Sequence, residues 1–210
     1  MDFELTEEQR LLRGSVERLL ADRYGFDKRR AYLADAEGWS RELWAQYAEL
    51  GLLGLPFPED CGGFGGGPID VMLVMEAFGR VLALEPYLAT VVLAGTALRL
   101  AGSDAQKSAI LPQIAEGKLV VAFAHGERQA RYDLSDVLTT AKPKGANWVL
   151  DGAKSVVLHG DSAQQLIVSA RTAGDRDDPD GITLSWMRRG TGWLGAATRC
   201  ATAPGRRRFR

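Results

Sequence analysis

Two histidines, His125 and His159, each close a β-type run and are each followed by glycine. An imidazole at a strand end can face a cleft as a general acid or base, although an isolated histidine is more often a satisfied structural group. Gly62-Gly-Phe-Gly-Gly-Gly67 is the nearest approach to a phosphate-cradling loop. It follows a helix and two prolines and has no lysine at the required offset, so it reads as a flexible turn. Asp175, Asp177, Asp178 and Asp180 could be mistaken for a calcium loop. They lack the twelve-residue spacing and terminal glutamate of such a loop, so a solvated turn between two strands is expected. Cys61 and Cys200 have no metal-ligand spacing, and no metal site is expected. Neither GxSxG, HExxH, a Walker loop nor GxGxxG in strand-to-helix context is present.

Composition narrows the class. The 210 residues are 46% hydrophobic, enough for one or two cores, and no apolar run approaches the roughly 20 residues that span a bilayer. The N-terminus, Met1-Asp-Phe-Glu-Leu-Thr-Glu-Glu, lacks the order of a secretory signal. A cytoplasmic protein with free thiols is therefore expected. The formal charge of −1 hides an asymmetry: positions 1–184 carry 19 basic against 27 acidic residues, while 185–210 hold seven arginines and no acid. An acidic body argues against nucleic-acid binding.

The elements that must position these residues change character along the chain. Thr6-Glu-Glu-Gln9 is a capping box, followed by an inward face of Leu11, Leu12, Val16, Leu19 and Leu20. A second helix is expected from Ser40 with Leu43, Trp44, Tyr47 and Leu50, ended by Gly51. Pro56 to Pro68 form the Gly/Pro-rich turn, with Pro68 opening a helix. The stretches 69–84 and 87–101 are apolar on most sides and read as central buried helices. Ser103-Asp-Ala-Gln106 is a second capping box, and Gly117 closes its helix. Five or six helices thus precede strands expected at 119–124, 137–142, 148–150, 155–158 and 165–170, with Lys144-Gly-Ala-Asn147 as a hairpin turn. The fold class is α+β, with helices and strands in separate domains and a ligand cleft expected at their junction.

The turn Leu52-Leu-Gly-Leu-Pro-Phe-Pro-Glu-Asp-Cys-Gly-Gly-Phe-Gly, the strand Gly117-Lys-Leu-Val-Val-Ala-Phe-Ala, and Trp148-Val-Leu-Asp-Gly-Ala-Lys with Ser169-Ala-Arg171 together resemble the acyl-CoA dehydrogenase family over residues 3–184. Within it, Asp2–Leu5, Gly38–Leu55 and Ala124–Gly160 look most like the small subunits of pimeloyl-CoA dehydrogenases. The resemblance implies an all-helical N-terminal domain (1–117), a β-barrel-like middle domain (118–184) and a C-terminal four-helix domain, with FAD held between the last two. It also implies α,β-dehydrogenation of an acyl-CoA thioester. A glutamate, usually in the C-terminal domain, takes the α proton while hydride passes to the flavin. No catalytic base is therefore expected in this chain. Electron-transfer flavoprotein, and a homo- or hetero-oligomer with a large subunit, are the implied partners.

Carried over residue by residue, the first flavin-contacting segment matches Phe123 to Tyr132, including His125 and Gly126, and the second matches Val156 to Leu158. Arg131 and Tyr132 are the implied substrate contacts, and Arg128 and Arg131 could meet a CoA phosphate or simply lie in a solvated loop. Where the family commonly has Thr-Glu-Pro-Gly-Ala-Gly-Ser-Asp, this chain has Gly126-Glu-Arg-Gln-Ala-Arg-Tyr-Asp133. Glu127 and Asp133 are retained, but a hydroxyl is lost at 126 and Tyr132 replaces a small serine. Val156 and Leu158 stand where a flavin-stacking tryptophan and a threonine are usual. Each loss is expected to weaken flavin binding by roughly 0.5–1.5 kcal/mol, leaving main-chain amides to hold the ring. Without the resemblance, Phe123, Val156 and Leu158 read as half-buried strand residues.

After Leu184 the family pattern stops, and Ser185-Trp-Met-Arg-Arg-Gly opens an Arg-rich tail. Synonymous codons for Trp193 to Arg210 permit an alternative frame, Val-Ala-Arg-Arg-Gly-Tyr-Pro-Met-Arg-Asp-Gly-Thr, that resembles the family's continuation. The tail is accordingly expected to be out of frame, and the chain an inactive fragment without the C-terminal domain. A non-catalytic subunit or interaction module that pairs with a complete dehydrogenase is the alternative, and a basic-tailed module in which Arg206-Arg-Arg208 contacts acidic surfaces is a further one.

Overall fold

The protein is described by a computed structural model at residues 4–145 and 147–188. It forms two compact units, Met1–Lys118 and Leu119–Arg210. The first is helical: α1 (Glu7–Arg23), α2 (Phe26–Ala34), α3 (Arg41–Glu49), α4 (Pro68–Val81), α5 (Thr96–Ala101) and α6 (Asp104–Ala115). Single 3-10 turns occupy Leu52–Gly54 and Glu59–Cys61. A π-helical run, Leu88–Gly95, feeds α5, so the stretch expected as one ordinary helix changes pitch midway.

Local chemistry sets most helix ends. The Thr6 hydroxyl accepts from the Gln9 amide while the Gln9 side chain accepts from the Thr6 amide, and Ser103 with Gln106 repeats the arrangement. These boxes satisfy amides that no preceding turn can reach. Ser103→Ala is expected to lower the stability of the helical unit by about 1 kcal/mol, read as a lower urea midpoint at unchanged m value. Gly51 and Gly117 follow α3 and α6 at φ 74° and 70°, left-handed values that favour glycine.

The core of this unit is a run of aromatic contacts from Trp39 through Trp44, Tyr47 and Phe78 to Tyr87, with Tyr47 stacked on Phe78 at 4.7 Å. Of the inward face expected on α1, Val16 and Leu20 are buried but Leu11 is exposed, so the buried stripe is narrower than the apolar pattern. The Gly-rich segment is not a loose turn. The amides of Gly63, Phe64, Gly65 and Gly66 donate to the carbonyls of Pro58, Gly54, Phe57 and Leu55. A Cβ on Gly63 would stand 2.1 Å from the Phe57 carbonyl oxygen, so close backbone approach explains the glycine there.

The second unit is a partial sheet of β1 (Val121–Ala124), β2 (Thr140–Lys144), β3 (Asn147–Asp151), β4 (Gln165–Arg171) and β5 (Ile182–Arg188). Buried β4 is central. It pairs in parallel with β1, antiparallel with β5 over its whole length, and through Arg171 with Thr140 of β2. β2 and β3 form the expected hairpin, Lys144 opposite Asn147, with Gly145 at φ 62°.

Two strand expectations are corrected. The segment 137–142 enters the sheet only at Thr140, because the amides of Leu138 and Thr139 bind the Glu127 carboxylate and that of Val137 binds the Arg176 carbonyl. Residues 155–158 form no strand: the Ser155 amide is taken by the Gly126 carbonyl and Val156 is left-handed at φ 55°, which breaks any ladder. β5 continues through Ser185–Arg188, opposite Val168 to Gln165, four residues past the end of the family pattern. The expectations for 189–210, Cys200 among them, lie outside the described residues.

Candidate functional site

Two loops of the second unit leave the sheet and are pinned to each other by one buried ion pair. The first follows β1 at His125; the second follows β3 and contains Lys154. The Lys154 Nζ donates to Glu127 Oε1 at 2.8 Å, to Ser169 Oγ at 3.0 Å and to the His125 carbonyl at 3.1 Å, which uses all three ammonium protons. The Lys154 and Glu127 side chains are 0% and 2% exposed. Glu127 also accepts from the Leu138 and Thr139 amides and from Gln129. Burial alone would raise its pKa, but the bonds from Lys154, Thr139 and Gln129 outweigh it and bring the carboxyl down to about 2. Burial pushes the Lys154 ammonium below its ordinary value, against the pull of Glu127. The 2.7 Å bond from the Ser155 amide to the Gly126 carbonyl adds a main-chain tie between the loops.

This frame brings four of the expected site residues to one region. Phe123, half-buried on β1, lies nearly parallel to the His125 ring, centroids 5.8 Å apart at 9°. The His125 Nδ1 is 2.9 Å from Ser169 Oγ. Gly126 is exposed beside Ser155, and its neighbour in the other loop, Val156, is 57% exposed. A β-branched residue at positive φ is strained by an amount of order 1–3 kcal/mol, and such residues cluster at binding sites. Val156 is thus no half-buried strand residue but an exposed apolar side chain on a left-handed turn. Leu158 is half-buried further along that turn. Arg131, at φ 52°, and Tyr132, 99% exposed, sit on the outer turn of the first loop and are not gathered with the others. His159 is half-buried at φ 49°, and burial lowers its pKa despite nearby Asp161.

The polar loop 174–181 is built around a cation of the protein itself. The Arg171 guanidinium donates to the carbonyls of Ser135, Arg176, Asp178 and Asp180 at 2.6–3.0 Å. Three of these carbonyls belong to the polar loop, so the guanidinium holds its shape. Among the described residues, no group of three or more His, Cys, Asp or Glu side chains could hold a metal ion.

The exposed turn residues also leave donors available. The amides of Gly126, Val156 and Leu158 make no hydrogen bond to another described residue. Free amides and an exposed apolar side chain on two tied loops can meet a ligand that offers hydrogen-bond acceptors and an apolar surface.

Similarity to known proteins was found at three levels. The acyl-CoA dehydrogenase N-terminal domain family matches residues 6–118. The acyl-CoA dehydrogenase FadE12 of Mycobacterium tuberculosis (strain H37Rv) is 35% identical over 173 residues, covering 80% of this chain and 43% of the relative. The ChsE4-ChsE5 complex from Mycobacterium tuberculosis superposes with a TM-score of 0.81 at 28% identity, covering 94% of this chain and 52% of that one. The structure described as the FAD complex of PigA gives 0.85 at 25% identity, covering 100% and 57%. The chain therefore spans about half the length of the proteins it matches. No helix among the described residues is long and apolar enough to cross a membrane. With a helical unit that matches the family's N-terminal domain and a partial sheet that follows it in the same order, the chain belongs to the acyl-CoA dehydrogenase family.

Proposed function

We propose that this chain supplies the helical and β units of a flavin-dependent acyl-CoA dehydrogenase, with FAD held against the two loops pinned by Glu127 and Lys154. The observation that carries the reading is that pin. It ties together the two loops that the resemblance assigns to flavin contact, although the side chains on them depart from the family pattern. Bound FAD would supply the redox chemistry, taking a hydride from the acyl β carbon. The protein's part is positional. The amides of Gly126, Val156 and Leu158 would offer hydrogen bonds to the cofactor, and Val156 an apolar contact in place of an aromatic side chain. Arg131 and Tyr132, on the exposed outer turn, reach the acyl-CoA. The α proton goes to a base outside the described residues, so the chain is read as inactive alone. Acyl-CoA, electron-transfer flavoprotein and a second dehydrogenase subunit are the proposed partners.

A titration of FAD into the purified chain, followed by flavin fluorescence, tests this reading. Saturable binding that Val156→Asp weakens at least tenfold is expected, together with no turnover of an acyl-CoA by the chain alone. Absence of FAD binding, with and without a co-expressed large subunit, would overturn it. A second reading, a non-catalytic subunit of a heteromeric dehydrogenase, is favoured by the likeness to ChsE4-ChsE5, a complex of two different chains. Co-purification with a complete dehydrogenase that retains flavin without this chain would select it.

A further inference from the structure

His125 is the member of the loop pair whose chemistry the Lys154 network specifies furthest. Ser169 Oγ has two polar neighbours, Lys154 Nζ at 3.0 Å and His125 Nδ1 at 2.9 Å. The ammonium can only donate, so the hydroxyl hydrogen of Ser169, a fully buried residue, has one available acceptor, Nδ1 of His125. The proton of a neutral imidazole then sits on Nε2. The ring's other nitrogen makes no hydrogen bond to a described residue.

We propose that the Glu127–Lys154–Ser169 chain holds His125 as a neutral imidazole of fixed tautomer, whose Nε2–H is a binding-site donor for an uncharged acceptor on the ligand. The chemical class follows from the donor: a carbonyl oxygen or an unprotonated ring nitrogen is recognised, and a phosphate is not favoured, because the ring carries no charge. Neutrality has independent support, since burial and then the Lys154 charge lower the His125 pKa, with Glu127 opposing. Parallel contact with Phe123 keeps the ring plane fixed, which a single-donor contact requires for directionality. Two ligands of the proposed reaction carry such acceptors, the flavin ring edge and the acyl thioester carbonyl, and the identification of either rests on the dehydrogenase reading above. Ser169 and Lys154 act through His125 as positioning residues.

Nitrogen-15 NMR of the full chain labelled at histidine separates the possibilities, with His125→Phe assigning the signal. Before any ligand is added, the His125 ring is expected to be neutral at pH 7 and protonated on Nε2 alone, and Ser169→Ala is expected to release it to a mixture of tautomers. A wild-type ring that is mixed, or protonated on Nδ1, overturns the proposal whether or not FAD binds, and this holds even where Ser169→Ala fails to fold. FAD and a saturated acyl-CoA are then titrated separately. The Nε2–H resonance should move with one of them, which names the ligand. Affinity for that ligand should fall about three- to tenfold in His125→Phe and recover partly in His125→Gln, which restores a donor. Binding that leaves the resonance and the affinity unchanged overturns the donor role. A fixed Nε2 tautomer with no binding of either ligand, with and without a co-expressed large subunit, instead overturns the dehydrogenase reading, and the ligand assignment with it.

Discussion

Lys154→Met should destabilise the β unit by about 3–5 kcal/mol, because it leaves the Glu127 carboxylate buried without its counter-charge. That is a large share of the 5–15 kcal/mol that holds a domain folded. Glu127 would keep the Leu138 and Thr139 amides and Gln129, but the His125 carbonyl and Ser169 would each lose their donor. Hydrogen exchange read residue by residue should show protection lost across β1 and β4 while α1 to α6 stay protected. Adding Glu127→Leu should return part of the loss, since an apolar pair of similar volume removes the lone charge. A double variant as unstable as the sum of the two single variants would show that the pair is not coupled.

The same pair sets an acid response. The Glu127 carboxyl lies at about 2 in the folded chain against an ordinary 4.5, so the unfolded chain binds the proton first as pH falls. Its contribution is complete above about pH 4.5 and is lost progressively toward pH 2. Glu127→Gln should flatten that limb of the β unit's stability curve.

Features set within four residues of sequence were legible, and those set by long-range pairing were not. The Thr6–Gln9 and Ser103–Gln106 boxes, the stops at Gly51 and Gly117 and the hairpin at Gly145 depend on local chemistry, and all are present. Helix α2 is not legible in the sequence because it buries no residue and so shows no apolar stripe. The segment 155–158 has the composition of a strand, yet Lys154 must enter the buried cluster and Ser155 must bond Gly126, and neither demand is visible in an apolar pattern. Glu127 and Lys154 are 27 positions apart, and patterns of hydrophobicity are silent about a buried charge. One signal did exist. Glu127 is retained in a segment where most neighbours depart from the family, whereas Asp133, also retained, only caps an exposed turn through Ser135. Arg171 stands in a segment that resembles the family, but its four carbonyl partners come from loops that only the folded sheet brings within reach.

The helical unit carries a buried carboxylate of the opposite kind, and Glu85→Leu should destabilise that unit by about 3 kcal/mol or more. Glu85 is 5% exposed and accepts from the Tyr24 hydroxyl at 2.8 Å, the Tyr47 hydroxyl at 3.3 Å and the Ser40 amide at 3.2 Å. It therefore joins the end of α1, the start and the inner face of α3, and the turn after α4 in one network. Leucine would leave three donors without an acceptor, each worth about 1–3 kcal/mol when buried. Glu85→Gln keeps one oxygen and should cost less. In contrast to Glu127, no cation is among Glu85's hydrogen-bond partners, and burial raises its pKa further than the bonds from Tyr24, Ser40 and Tyr47 lower it. The sign of the pH effect is then reversed. Between the ordinary value of 4.5 and the higher folded value, the folded chain holds a proton that the unfolded chain has released, so stability falls as pH rises through that interval. Urea titrations followed by exchange protection should show the helical unit weakening as pH rises above 4.5 in the wild type and not in Glu85→Gln. A wild-type helical unit equally stable on both sides of that interval would mean that Glu85 is ionised throughout, held by its two tyrosines despite its burial.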